Sequence, residues 1–233
     1  MNSKGFLQAV LHFLKPARTI PHTSWMAKNR WNITLKNLPP LFIGLAIFGL
    51  GEALLIESTI GNSPWSVFAQ GLSIRTPLSI GQSTAVISVG VLLLWLPLRE
   101  RPGFGTIANI AIIALFVQIG VDHIPTVENL ILLQIAYVLI GISLVGAGTA
   151  LYITCGLGPG PRDGLMTSLH RKTGIRIARV RIAIEVSVLI IGAALGGTVG
   201  IGTAMFALFI GNSIATNLNF VARFSNRSRP NPA

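Results

Sequence analysis

The stretch GPGPRDGLMTSL, Gly158 to Leu169, sets an arginine and an aspartate side by side in a Gly/Pro-rich turn between two long apolar runs. Sliding the chain by 97 residues lays it, without a gap, on GNSPWSVFAQGL, Gly61 to Leu72. Both begin with glycine and carry proline at the fourth place, Pro64 and Pro161. The same shift pairs Gly44 with Gly141, Gly49 with Gly146 and Gly51 with Gly148. It also pairs Gly103, Gly105 and Thr106 with Gly200, Gly202 and Thr203. Chance agreement in an apolar chain would favour Leu, Ile and Val. Here it falls on residues with backbone roles, so the chain reads as a duplication.

Composition says what kind of unit was duplicated. The 233 residues are 51% hydrophobic and 11% charged, with a mean hydropathy of +0.68. A soluble domain carries about 25% charged residues, so this is the composition of an integral membrane protein. Apolar runs fall near 38–58, 80–98, 104–121, 130–155, 180–197 and 202–220. The net charge of +11 does not point to nucleic acid, because the cations cluster between the runs rather than on one face. With a cytoplasmic N-terminus, 17 of the 18 Lys and Arg residues lie inside and only Arg75 lies outside. That bias predicts six spans with both termini in the cytoplasm.

Each unit then holds three spans. An odd number makes the second unit enter from the opposite side, as an inverted-topology repeat. The expected fold is therefore an all-α membrane protein of six transmembrane helices, arranged as two inverted three-helix repeats. Each repeat carries one short interfacial or re-entrant half-helix. Residues 1–37 are a basic cytoplasmic or interfacial segment, 38–122 the first repeat, 130–220 the second, and 221–233 a basic cytoplasmic tail. The apolar patch Phe6–Leu14 is followed by Lys15 and Pro16 rather than by a small-residue cleavage site. It reads as a surface-lying amphipathic helix.

The two Gly/Pro loops lead into the half-helices. Gly61, Pro64, Gly158, Pro161 and Gly164 are assigned to loop structure, with proline suited to a first helical position. Asn62 and Ser63 are candidate caps. Trp65, Phe68, Ala69 and Leu72 repeat at helical spacing, as do Leu165, Met166 and Leu169. About ten residues each, these helices are too short to span. Arg162 stands on the apolar stripe, next to a positive helix N-terminus, where it faces inward as part of an anion site, reaches headgroups, or pairs locally with Asp163. Asp163 is suited to the first helical turn and is a neighbour of Arg162. The pair replaces Trp65 and Ser66 of the first unit.

The run GPGPRDGLMTSLHRKTG, followed by RVRIAIE and GGTVGIGTAMFALFIG, resembles the bacterial YitT/YczE-type integral membrane proteins, and the Pro-Arg-Asp-Gly element resembles the YczE branch. The resemblance covers roughly residues 38–220. It implies a polytopic, transporter-like protein of the bacterial inner membrane and no particular substrate.

Ionisable groups inside spans are costly and often functional. Glu52 lies within the first span, opposite Thr149 in the repeat, and has no sequence-local partner. It is the candidate proton or cation site. Glu57 reads as interfacial. Arg181 and Glu185 are spaced for an i,i+4 ion pair. Glu52, Asn62, Ser63, Trp65, Ser66, Arg162, Asp163, Arg181 and Glu185 together are the candidate substrate or ion pathway. Gly192-x3-Gly196 reads as close helix packing, and Thr106 and Thr203 as helix starts. No phosphate-binding loop, metal-ligand spacing or catalytic triad is present in the sequence, and neither a cofactor nor an enzymatic activity is expected. Two functions fit. One is a small transporter or channel with its pathway between the repeats. The other is a non-transporting scaffold whose basic face holds a cytoplasmic partner or anionic lipid. The single Cys155 is expected to label only from the cytoplasmic side, if it labels at all.

Overall fold

The structure, a computed structural model, describes residues 20–227. Among these, every regular element is helical. In chain order they are α1 (Leu38–Glu57), α2 (Pro64–Arg75), α3 (Ile80–Leu93), α4 (Trp95–Leu98), α5 (Phe104–His123), α6 (Ile131–Ile153), α7 (Pro161–Thr173), α8 (Ile177–Ala194) and α9 (Ile201–Arg227). α4 prolongs α3 after a break at Leu94. Pro97 explains the break, since it offers no N–H to the Leu93 carbonyl and its ring crowds that group.

Five helices are long and apolar enough to cross a membrane: α1, α3 with α4, α5, α6 and α9. Their outward side chains are apolar, including Leu96, Leu115, Leu132 and Leu208, each more than half exposed. Such a surface suits hydrocarbon. The run near 180–197 forms α8, which has 18 residues. It carries Arg179, Arg181 and Glu185 in its first half, and those three charges keep it out of the apolar group. α9 continues to Arg227, through residues 221–227 that the sequence reading gave to a tail. The surface helix expected over Phe6–Leu14 lies outside the described residues.

α1 and α6 pack along each other, α5 flanks α1, and α9 flanks α6. Their crossing depends on glycine. A Cβ on Gly51 would lie 2.8 Å from the Gly141 carbonyl oxygen, and one on Gly141 would lie 2.8 Å from that of Gly51. Gly44 and Gly148 face each other in the same way, at 3.0 and 2.5 Å. The 97-residue shift turns the first pair into the second. Bare backbones touch where any side chain would hold the helices apart.

The short helices bridge the halves: α2 packs on α8 as well as on α3, and α7 packs on α3 as well as on α8. The loops bridge them too. The Leu157 carbonyl accepts from the Gly105 N–H at 2.8 Å, and the Ile60 carbonyl accepts from the Gly202 N–H at 2.8 Å. Gly61 and Gly158, next to these carbonyls, have φ of 122° and 112°, which explains glycine at both places. The N–H of Gly103 is held by the Thr106 hydroxyl, and that of Gly200 by Thr203, so both threonines secure helix starts. The correspondence fails at one contact: α3 packs along α5, whereas α8 and α9 form no comparable contact.

Gly192 packs as expected, with a Cβ that would fall 2.5 Å from the Phe68 nitrogen. Gly196 does not. Its nearest neighbour would be 3.8 Å away and its φ is 103°, so it serves the turn after α8 rather than a helix contact. Gly164 lies within α7, not in a loop, beneath the Trp95 ring.

Candidate functional site

The N-terminal ends of α2 and α7 meet beside the middle of the α1–α6 pair. Ser63 caps α2, accepting from the Ser66 N–H at 3.3 Å, and Pro64 fills the first helical position. The same Ser63 hydroxyl donates to Glu52 Oε2 at 2.6 Å, and the Ser66 hydroxyl donates to that oxygen at 2.7 Å. Glu52 is 3% exposed. Its carboxylate therefore sits at the positive end of α2, held by two hydroxyls. Its other oxygen, Oε1, is buried with no hydrogen-bond partner.

Arg162 approaches that open oxygen from the first turn of α7. Its Nη2 lies 3.9 Å from Glu52 Oε1, an ion-pair distance but not a hydrogen bond. Its guanidinium stacks over the Phe48 ring, 4.7 Å from the centroid. A cation at a helix N-terminus is unfavourable on its own. The Glu52 charge and the ring face compensate. Asp163 does not pair with Arg162. It accepts a hydrogen bond from the Tyr152 hydroxyl of α6, and its charge suits the first turn of α7.

Two small cavities flank Arg162. The first, about 50 Å³, is lined by Phe48, Glu52, Ser66, Thr84, Ser88 and Asn109 among others. The second, about 60 Å³, includes Val145, Thr149, Asp163, Arg181, Glu185 and Phe206. Each residue of the first group lies 97 positions before its counterpart in the second. The two cavities are thus lined by residues at matching positions of the 97-residue shift, with different side chains. Trp65 and Arg162, themselves counterparts, line both. Arg181 Nε lies 2.9 Å from Glu185 Oε1, at the predicted spacing, and the pair faces the second cavity.

Of the sequence-predicted pathway residues, Glu52, Ser63, Trp65, Ser66, Arg162, Asp163, Arg181 and Glu185 converge here. Asn62 does not. Its amide donates to Gln70 Oε1 at 2.8 Å, and Gln70 in turn accepts from the Thr198 N–H, so Asn62 braces a loop. Glu57 is buried, accepting from the Thr126 hydroxyl at 2.5 Å. Cys155 is fully buried and its thiol faces the Leu151 carbonyl, so it cannot serve as the expected label site. Thr84, Ser88 and Asn109 were missed. The repeat offers a signal for the first two, because they are the counterparts of Arg181 and Glu185.

Glu100 was missed as well, and it forms a second charged cluster. It follows α4, and its side chain is 7% exposed. Arg30 donates to it at 2.7 Å, Ser168 at 2.9 Å, and Arg171 pairs with it. Burial works to raise its pKa. The hydrogen bonds from Arg30 and Ser168, with the charges of Arg171 and Arg30, outweigh burial and hold the carboxyl below the usual carboxylate range. In sequence Glu100 stands between Arg99 and Arg101, which disguises partners about 70 residues away on either side.

Comparison with known proteins bears on this arrangement. A family model described as a family of unknown function, DUF6198, matches residues 35–218. A Haemophilus influenzae protein is 44% identical over 209 residues, 90% of this chain and 95% of its own length. The Bacillus subtilis membrane protein YczE is 33% identical over 174 residues, 73% of this chain and 80% of its own. The Bacillus subtilis protein YyaS is 31% identical over 70% of this chain and 83% of its own. No solved structure matches the chain. The chain belongs to the DUF6198 family, as a YczE-type membrane protein.

Proposed function

We propose that this protein is a small transporter or channel of the bacterial inner membrane, with its pathway between two inverted three-helix repeats. α8 is the sixth span, its Arg181–Glu185 pair turned to the protein interior. α2 and α7 are re-entrant half-helices whose N-termini meet near the bilayer midplane. Both termini lie in the cytoplasm.

The observation that carries this reading is the pair of matched cavities flanking Arg162, one of them holding a buried carboxylate oxygen that accepts no hydrogen bond. A buried carboxylate left half satisfied is costly in a purely structural role. As the place where a cation or proton is taken up and released, it has a use. The contact between α3 and α5, unmatched by α8 and α9, supports two inequivalent halves, which a device that alternates its opening requires. Substrate passage needs no covalent chemistry, and the role proposed for the protein is not enzymatic.

The scaffold reading draws less support. Of the six cations from Arg162 to Arg181, four are engaged within the protein: Arg162 with Glu52, Arg171 with Glu100, Lys172 with the Pro97 carbonyl and Arg181 with Glu185.

The test is flux in liposomes holding purified protein and a pH-sensitive dye, challenged with small cations, anions and zwitterions. Wild-type protein is expected to move at least one class. Glu52→Gln is expected to abolish that flux while the protein still purifies as a folded species. Absence of flux from wild type, or full flux from Glu52→Gln, would overturn the reading.

A further inference from the structure

We propose that the groove between α2, α3, α7 and α8 holds the apolar chain of an amphiphile whose ammonium head reaches the open oxygen of Glu52. This deepens the transporter reading and rests on it for the use to which the groove is put.

The groove has a volume of about 750 Å³, within the roughly 300–1,000 Å³ range of small-molecule sites. Its walls come in counterpart pairs from the two halves: Phe68 with Leu165, Ile87 with Ile184, Val91 with Val188. Both halves therefore line it, as they do the Glu52 and Arg162 region. The lining is apolar except for the Ser187 hydroxyl and the Trp65 indole N–H.

The groove is not isolated from the polar site. Trp65, Ile87 and Val91 line it and the first polar cavity at once. Trp65 is the wall between them, and its indole Nε1 is buried with no hydrogen-bond partner. A ligand long enough to pass this wall would have its tail in the groove and its head at Glu52.

The head must be a donor. Glu52 Oε2 already accepts two hydroxyl hydrogen bonds, and Oε1 accepts none. The two polar cavities together are lined by three carboxylates, Glu52, Asp163 and Glu185, and two guanidinium groups, Arg162 and Arg181. The acidic side chains outnumber the guanidinium groups by one. An ammonium group supplies a positive charge and a charge-assisted hydrogen bond. An ordinary acyl chain gains little by leaving the bilayer for an apolar groove, because lipid tails are as apolar as the groove walls. Selectivity therefore resides in the head, and the groove sets which tails fit.

The test uses dodecylammonium, butylammonium and dodecanoate as probes, with purified protein in phosphatidylcholine nanodiscs for binding and in liposomes for flux. Dodecylammonium is expected to bind saturably, and Glu52→Gln to weaken it about tenfold, the size of one lost hydrogen bond to a charged group. Gly90 offers a way to block the groove without disturbing the fold, since a Cβ there meets nothing within 4 Å. Gly90→Phe is expected to weaken dodecylammonium about tenfold and to leave Glu52-dependent flux of butylammonium intact. Equal binding of dodecanoate, or an unchanged dodecylammonium affinity in Gly90→Phe, would overturn the inference while leaving the transporter reading standing. Saturable, Glu52-dependent binding without flux of any probe would instead sink the transporter reading alone.

Discussion

At Gly164 a single hydrogen atom in place of a methyl group decides how α7 meets α4. A Cβ at this position would lie 2.0 Å from Cζ2 of Trp95. That ring is 1% exposed, and its Nε1 donates to the Pro161 carbonyl at 3.0 Å. Neither partner can yield cheaply. Gly164→Ala is expected to destabilise the protein by about 1–3 kcal/mol, the usual cost of overpacking. This would be read as a lowered thermal midpoint in detergent. Trp95→Phe removes the benzo ring that clashes, so the double variant should be less destabilised than the sum of the singles. Glu52 shows the converse case. Its surroundings are tight on one oxygen and open on the other, and that inequality within one carboxyl group carries the functional proposal.

Between elements, the cluster around Glu100 ties the segment before α1 to the end of α4 and to α7. The sign of its pH dependence follows from the lowered pKa. The contribution is fully present above 4.5, the ordinary value, and is lost as pH falls through the lower folded value. Spin labels at Lys28 and Thr173 should therefore report one unchanged distance between pH 8 and pH 5, about neutrality on either side. The distance should broaden only under more acidic conditions. Glu100→Gln should broaden it at every pH. A transition near neutral pH would show that another group controls the tie. The bridging of the halves by α2 and α7 belongs to this scale as well. Each short helix packs on long helices of both halves, so both halves frame the N-terminal turns around Glu52 and Arg162.

For the molecule as a whole, the proposed inverted topology makes a prediction about two counterpart cations. Arg75 ends α2 and its Nε donates to the Leu195 carbonyl at 3.1 Å. Lys172, 97 residues later, donates to the Pro97 carbonyl at 3.0 Å. Both are exposed, and the buried Cys155 gives no competing signal. In intact cells Arg75→Cys should react with an impermeant maleimide from outside, and Lys172→Cys only after the inner face is made accessible. Labelling of both from the same side would rule out inversion.

How much of this was legible in the chain differs from feature to feature. The membrane character follows from composition and apolar run length, because hydrocarbon admits few charges whatever the tertiary arrangement. The paired loops were legible because glycine, proline and threonine at 60–64, 103–106 and their counterparts answer to local backbone geometry. The Arg181–Glu185 pair was legible because one helical turn defines it. Glu100 was not, nor were Tyr152 as the partner of Asp163, Phe48 beneath Arg162, and the hydroxyls of Ser63 and Ser66 on Glu52. These contacts join side chains from separate helices, and local sequence places no such limit on which neighbours meet. Tertiary packing alone turned Arg162 away from the adjacent Asp163 and toward Glu52, because crossing α1 and α6 on bare glycine backbones brings the N-terminal ends of α2 and α7 to the same buried carboxylate.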